Sequence, residues 1–344
     1  MDTRAAPEAT PRQAVDGMIR GYMLSHAVCT AARLGLADRL ADGPRACAEL
    51  AEATGTRAPL LRRLLRLLAS AGVFAEVEPG VFALTPEAEL LRDTPGSLRA
   101  AALLWGELGT IAWRELTGVV QTGRTGYQLA TGLREWEYYA KHPEAGAVFD
   151  AAMTAGARVW ADAVVAAYDF PATGTVVDVG GGQGALLAAI LRARPALRGV
   201  LFDAPHVVAA APAVLAAAGV GDRCTLVGGD FFQALPEGGD VYTLTRILHD
   251  YDDERAAAIL RTCRRAMAAH GVVLVMDRVI RSGPATRTPE SFEAHRADVT
   301  MMVWTGGLER TAEEFRALFE AAGLRLRRIL PTTTGQHLIE ATPA

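Results

Sequence analysis

The 344-residue sequence has almost no lysine: Lys141 is the single one among 35 basic side chains. With 39 acidic side chains the net charge is −4, which argues against a protein whose main work is neutralising nucleic-acid phosphates. Cysteine is equally scarce. Cys29, Cys47, Cys224 and Cys263 lie far apart without a CxxC pair, so they read as buried thiols and not as a zinc cluster or disulfide framework. Long apolar runs are missing as well. The longest stretch free of Asp, Glu, Lys and Arg, residues 204–221, is Ala-rich and interrupted by Pro205, His206 and Pro212, which makes it a poor membrane span. The N-terminal MDTRAAPEATPRQAVDG lacks the apolar core of a secretion signal. A soluble cytoplasmic protein with no membrane or nucleic-acid partner is expected.

Half of the residues are apolar, and the length exceeds what one hydrophobic core usually organises, so two domains are expected. From Gln13 to Leu40 the apolar side chains Val15, Met18, Ile19, Tyr22 and Met23 recur at helical spacing. Two short helices follow (46–54 and 58–71), then a hairpin with Pro79-Gly80 at its tip. Helix, turn, helix, hairpin is a winged-helix order. Its second helix carries Arg57, Arg62, Arg63 and Arg66, which raises DNA binding. The acidic hairpin (Glu76, Glu78) and a broad leucine face over 60–68 favour packing or dimerisation instead. Residues 98–170 read as a helical bridge broken at 123–132. After Pro171, β-branched runs alternate with Ala-rich helical segments, one of them expected over 206–218, the pattern of a doubly wound α/β domain over 171–344.

Within that domain Val176-Val177-Asp178-Val179 runs into Gly180-Gly181-Gly182-Gln183-Gly184 and a helix. A buried strand ending in glycines at a helix N-terminus lets backbone N–H groups approach a ligand closely. Gly180-x-Gly182-x-x-Ala185 also satisfies a dinucleotide fingerprint, so the glycines alone leave the nucleotide open. Asp203 is placed at the end of the next strand to accept from ribose hydroxyls. Asp230 is read as ending the strand after that, where it accepts from an adenine amine beside Phe231 or serves as a turn aspartate. His249 and Asp250 follow the fourth strand, at the carboxyl edge where open α/β sheets bind ligands. Asp250, Asp252, Asp253 and Glu254 are read as the acidic start of a helix, not as metal ligands. Two further acids, Asp277 and Glu309, lie at strand or loop ends; a carboxylate near His249 would orient its imidazole.

DVGGGQG, LFDAPHV, GGDFF, LHDYDDE, MDRVI and GGLERTAEEF, in this order and at these spacings, resemble the plant-type small-molecule O-methyltransferases and their bacterial natural-product relatives. ARLGLADRLADGP, LAEATG, LRRLLRLLASAGVF and FALTPEAELLR are similar to the same family's winged-helix dimerisation domain, so the resemblance spans nearly the whole chain. It implies a Rossmann-like, doubly wound class I methyltransferase domain (171–344), a mostly helical winged-helix dimerisation domain (1–97) and the bridge (98–170) contributing to the substrate pocket. It further implies S-adenosyl-L-methionine as cofactor, S-adenosyl-L-homocysteine as product and no metal. Gly180, Gly181, Gly182 and Gly184 would hold the methionine part, Asp203 the ribose, Asp230 and Phe231 the adenine. Thr245 and Arg246 would flank the cofactor, with Met153 beside the transferred methyl. His249 would be the general base between Asp277 and Glu309, where many plant members have Glu in place of Asp277 and lysine near the ribose in place of Thr245.

The implied reaction is O-methylation of an aromatic hydroxyl of a secondary metabolite such as a phenol, naphthol, polyketide aromatic or aromatic acid. Carbon or nitrogen methylation and hydroxylation on the same fold stay open, as does a winged-helix ligand-sensing regulator. A homodimer is expected through the broad apolar face of the first helix, and the resemblance implies that the segment around Ser25 and His26 would reach the partner's pocket. For the acceptor, Thr300, Met301 and Trp304 on one helix, with Phe149, Met153 and Trp105, are expected to form a flat slot next to Asp250. The alternative is core packing. Arg12 or Arg20 is a candidate carboxylate anchor.

Overall fold

The computed structural model describes residues 10–94 and 96–344, apart from the Arg158 side chain; residues 1–9, half of the polar segment read for a secretion signal, lie outside the described residues. Its backbone divides into two units, Met1–Thr110 with Ala147–Ala155, and Ile111–Gly146 with Gly156–Ala344.

In the first unit, helix Pro11–Arg33 starts from a capping box in which Thr10 and Gln13 satisfy each other's backbone N–H groups. Its buried face is made of small residues, Ala27, Cys29, Ala31 and Ala32. Its large apolar residues point outward: Met18, Ile19, Tyr22 and Met23 are 79, 67, 59 and 50% exposed. Helices Cys47–Thr54 and Ala58–Ser70 precede the hairpin Phe74–Glu78 and Val81–Leu84, to which Arg45–Ala46 adds a third short strand. Leu61, Leu65 and Leu68 pack in one core with Phe74 and Phe82. Two of the four arginines that raised DNA binding have a local partner, since Arg62 and Arg66 both pair with Glu76 of the hairpin. Farther along, Leu104–Gly109 forms a π-helical turn. It carries Trp105 and Glu107, and Glu107 is gripped by Arg33.

The second unit is built on a seven-stranded sheet. We number its strands β1 (Gly174–Val179), β2 (Leu197–Asp203), β3 (Cys224–Gly228), β4 (Val241–Thr245), β5 (Val272–Asp277), β6 (Leu324–Pro331) and β7 (His337–Pro343). Their spatial order is β6-β7-β5-β4-β1-β2-β3. The strands β1 to β5 pair in parallel, while β7 runs antiparallel to both β5 and β6. Apolar side chains cover both faces. Helices Asp253–Ala266 and Ala312–Glu320 close one, and Ala185–Ala193 with the end of Pro143–Ala167 closes the other. The strand order reverses between β1 and β4, which opens a ligand crevice at their carboxyl ends.

Two expected elements differ. The helix expected over 206–218 is split into Pro205–Val208 and Ala211–Ala217. Pro212 supplies no backbone N–H and its ring clashes with the carbonyl four residues earlier, so it is tolerated only at a helix start. The expected break at 123–132 instead contains helix Gly126–Thr131, opened by a Thr125–Gln128 capping box. Gly123 and Gly132 end the helices before them and do not dissolve the segment between.

Candidate active site

The loop after β1 takes a path that only glycine follows without strain. Gly180, Gly182 and Gly184 have φ of +66°, +59° and +84°. A Cβ on Gly181 would come within 2.5 Å of Leu201 and 2.6 Å of Asp178. The neighbouring strand holds the loop: Gly180 N–H donates to the Phe202 carbonyl (2.8 Å) and Gly182 N–H to Oδ2 of Asp203 (2.8 Å). The Asp203 carboxylate at the end of β2 is thus already turned to the loop. Asp178, quoted in the motif but given no role, lies 1% exposed beneath it. Its Oδ1 accepts from Thr243, its Oδ2 has no partner, and burial pushes the carboxyl up to about 6. The signal was in the sequence, as one acid within an otherwise apolar strand.

Asp230 corrects the sequence reading. The strand β3 ends at Gly228, and Asp230 lies in the following turn, where its carboxylate accepts from Phe232 N–H (2.9 Å) and Gln233 Nε2 (3.1 Å). That is the turn aspartate of the alternative reading. Phe231 stays beside the loop, its ring 3.9 Å from where a Gly180 Cβ would be. At the end of β4 the buried Oγ1 of Thr245 has no hydrogen-bond partner. Arg246 follows at φ 56°, the one non-glycine positive φ among the described residues, with its guanidinium over the Trp160 ring at 4.5 Å. A glycine loop, a strand-end carboxylate, an aromatic ring and an orphaned hydroxyl at one sheet edge fit a nucleoside cofactor.

His249 is carried by a 3₁₀ turn, Leu248–Asp250, just beyond β4. It is 3% exposed, and its Nδ1 lies 3.1 Å from Oε1 of Glu309, itself 4% exposed. Burial alone would raise Glu309, but the hydrogen bond with His249 and the charges of His249, Arg246 and Arg278 bring it below its ordinary value. An ionised carboxylate only accepts, so Nδ1 carries a proton, and in the neutral imidazole Nε2 is the nitrogen left with a lone pair for an incoming hydroxyl. The Nε2 atom lies 3.8 Å from Oδ1 of Asp250. Burial disfavours the imidazolium, yet Asp277, Asp250 and Glu309 outweigh it and hold His249 above its ordinary 6.5. Asp277 closes β5, fully buried with both carboxyl oxygens unpartnered, and burial pushes it up to about 7. Of the two acids expected at His249, Glu309 makes the hydrogen bond and Asp277 acts by charge. The acidic stretch behind them starts a helix as expected, with Asp252 accepting from Arg255 N–H.

Of the residues expected around an acceptor, Ser25, Trp105, Phe149 and Met153 belong to the first unit. There Ser25 is exposed on helix Pro11–Arg33, Trp105 is 39% exposed, and Phe149 and Met153 are half-buried. Arg20, one proposed anchor, pairs with Asp16 on its own helix. In the second unit Thr300, Met301 and Trp304 do share one helix, Pro289–Trp304, but they are 2, 9 and 4% exposed. Thr300 donates to the Arg296 carbonyl, and Trp304 Nε1 donates to Tyr139 Oη at 2.9 Å, its ring 5.8 Å from that of Tyr127. Within the second unit these three side chains make the contacts of the core-packing alternative, because a buried helical hydroxyl bonds back one turn and a buried indole N–H needs an acceptor. Sequence reading also missed Glu135, 3% exposed with Oε2 unpartnered and pushed up to about 7 by burial, with Asp250 adding to the effect.

Known proteins resemble this chain in sequence and fold. The family profile of the O-methyltransferase domain matches residues 113–325, and that of the O-methyltransferase dimerisation domain matches 17–94. The phenazine O-methyltransferase PhzM of Lysobacter antibioticus is 50% identical over 327 residues, covering 95% of this chain and 94% of that protein. Among solved structures, LaPhzM superposes with a TM-score of 0.93 at 48% identity, covering 98% of this chain and 100% of its own. The O-methyltransferase NcsB1 from neocarzinostatin biosynthesis, solved with S-adenosylmethionine and 2-hydroxy-5-methyl naphthoic acid, gives 0.81 at 35% identity, covering 93% and 96%. The chain belongs to the S-adenosylmethionine-dependent O-methyltransferase family of natural-product biosynthesis, with an N-terminal dimerisation domain ahead of its methyltransferase domain.

Proposed function

We propose that the protein methylates an aromatic hydroxyl of a secondary metabolite, with His249 as general base. The observation that carries this reading is the buried His249–Glu309 pair at the carboxyl edge of the sheet, with His249 just beyond β4, the strand next to the one that ends in the glycine loop. S-adenosylmethionine, when bound, supplies a methyl group on a positively charged sulfur. Gly180, Gly181, Gly182 and Gly184 offer backbone to its methionine part, Asp203 accepts from the ribose, and Phe231 borders the adenine. Asp230, with one turn hydrogen bond on each carboxyl oxygen, keeps acceptor capacity for the adenine amine. Thr245 and Arg246 flank the cofactor, and Met153 is assigned beside the methyl by family resemblance.

A phenol with an ordinary pKa near 10 is only about 0.1% ionised at neutral pH, so removing its proton is the chain's main chemical task. Nε2 of His249 takes that proton while Nδ1–H stays on Glu309, a contribution of about 10²–10⁴ in rate. The related enzyme crystallised with a hydroxynaphthoic acid supports an aromatic acceptor. Incubating the protein and labelled cofactor with phenols, naphthols and hydroxynaphthoates, and reading product mass, tests the proposal; transfer to none of them would overturn it.

The proposal includes a homodimer formed through the first unit. The exposed Met18, Ile19, Tyr22 and Met23 face and the matched dimerisation domain support it. Ser25 and His26, next on the same helix, are assigned to the partner's pocket. Sedimentation as a monomer at micromolar concentration would contradict this part.

A further inference from the structure

Arg310 has an environment that sequence reading passed over. It is the largest fully buried side chain among the described residues, at 0% exposure. Its guanidinium makes three separate bonds: Nη1 to the Leu248 carbonyl (3.0 Å), Nη2 to the Tyr251 carbonyl (2.8 Å) and Nε to Oδ1 of Asp253 (2.9 Å). Leu248 and Tyr251 bracket His249 and Asp250. Arg310 is at the same time the residue after Glu309. One planar fork therefore fixes the turn that carries the base to the strand that carries its carboxylate.

The backbone on both sides is stitched to match. Leu308 N–H donates to the His249 carbonyl at 3.0 Å. Gly307 lies so close that a Cβ there would meet the His249 carbonyl oxygen at 2.0 Å. Beyond Glu309, Arg310 and Thr311 pair in parallel with Val279 and Ile280, just after Asp277. Burying a guanidinium is costly, and apolar residues of similar volume often stabilise a core as well or better. What a fork adds is fixed geometry at several acceptors at once.

We propose that Arg310 is a positioning residue for proton transfer, setting the His249–Glu309 hydrogen bond by clamping the Leu248–Tyr251 turn. The inference rests on the reading of His249 as base. Arg310→Lys keeps the charge and a partner for Asp253, but one ammonium cannot reproduce the three-point clamp. With a naphthol of ordinary acidity, its kcat is expected to fall about tenfold to a hundredfold. Cofactor affinity and acceptor KM are expected to stay within about twofold. Because the Glu309 hydrogen bond helps hold His249 above its ordinary value, the acidic limb of the pH profile is expected to move to lower pH.

The decisive comparison uses a nitro-substituted naphthol that is already ionised at neutral pH and needs no base. Arg310→Lys is expected to turn it over like the parent enzyme. Equal losses on both acceptors, or no loss on either, would overturn the positioning role, since a merely structural defect does not distinguish them. His249→Ala, run alongside, separates the two readings. If it too fails to distinguish the acceptors, the base assignment falls; if it alone distinguishes them, only the role of Arg310 falls. Should Arg310→Lys not fold, Asp253→Asn releases one arm of the fork, and the same selective loss, about twofold to fivefold, is expected; its absence would overturn the proposal.

Discussion

Replacing Asp277 by Asn perturbs a carboxyl that is fully buried and has no hydrogen bond on either oxygen. Burial raises it from 3.8 to about 7, so between those values the folded protein keeps a proton that the unfolded chain has released. Stability therefore falls as pH rises through that window and stays reduced above it. At roughly 1.4 kcal/mol per pH unit, the penalty is about 1.5 kcal/mol near pH 5 and about 4 kcal/mol near pH 8. Asparagine carries no such penalty, and its own burial without partners costs about 1–3 kcal/mol at either pH. The difference in unfolding free energy between variant and parent should move in the variant's favour by roughly 2.5 kcal/mol from about pH 5 to about pH 8. Urea unfolding followed by tryptophan fluorescence at the two pH values measures it. A difference that is constant, or that moves toward the parent, would refute the picture of Asp277 as a carboxyl held near neutrality under His249.

Glu309→Gln removes the hydrogen-bonded carboxylate that helps raise His249, so the limb on which kcat/KM rises with pH should move to lower pH while the plateau drops by about tenfold or more; an unmoved limb in a pH–rate profile would exclude the pair. Asp203→Asn replaces one of the two acceptor oxygens that serve the Gly182 N–H, the Ala204 N–H and the ribose by a donor and removes the charge, so calorimetry should show cofactor binding weakened about tenfold or more, with the unchanged affinity of the parent as the contrary result. Trp304→Phe deletes the bond to Tyr139 in a packed core, so stability should fall by about 1–2 kcal/mol with acceptor KM little changed; a large rise in KM at unchanged stability would instead favour the slot over core packing.

Much of the second unit was legible because its code is local. β-branched runs alternating with helical segments give a doubly wound sheet, and the loop glycines mark a backbone path that other residues cannot follow. His249, at the end of β4, was found by its place on the ligand edge. What escaped depends on distant contacts. Whether Asp277 or Glu309 bonds His249 is decided by how the strand around 310–311 pairs with that around 279–280. Arg310 looked like one arginine among many until its three partners, all from 248–253, came together. The helix expected to face the acceptor shows the same dependence: one helical turn between Thr300 and Trp304 says which face they share, while Tyr139 decides what that face meets. Pro212 was visible in the sequence and should have broken the predicted helix.

The central claim, that His249 removes the acceptor's proton, is tested most directly by single-turnover methyl transfer in the parent and His249→Ala across phenols or naphthols of graded acidity. For acceptors with pKa near 10 the variant should be slower by about 10²–10⁴. The loss should shrink with acceptor pKa and vanish for acceptors already ionised, at constant cofactor affinity. A loss of the same size across the whole series, or none at its weakly acidic end, would contradict the claim.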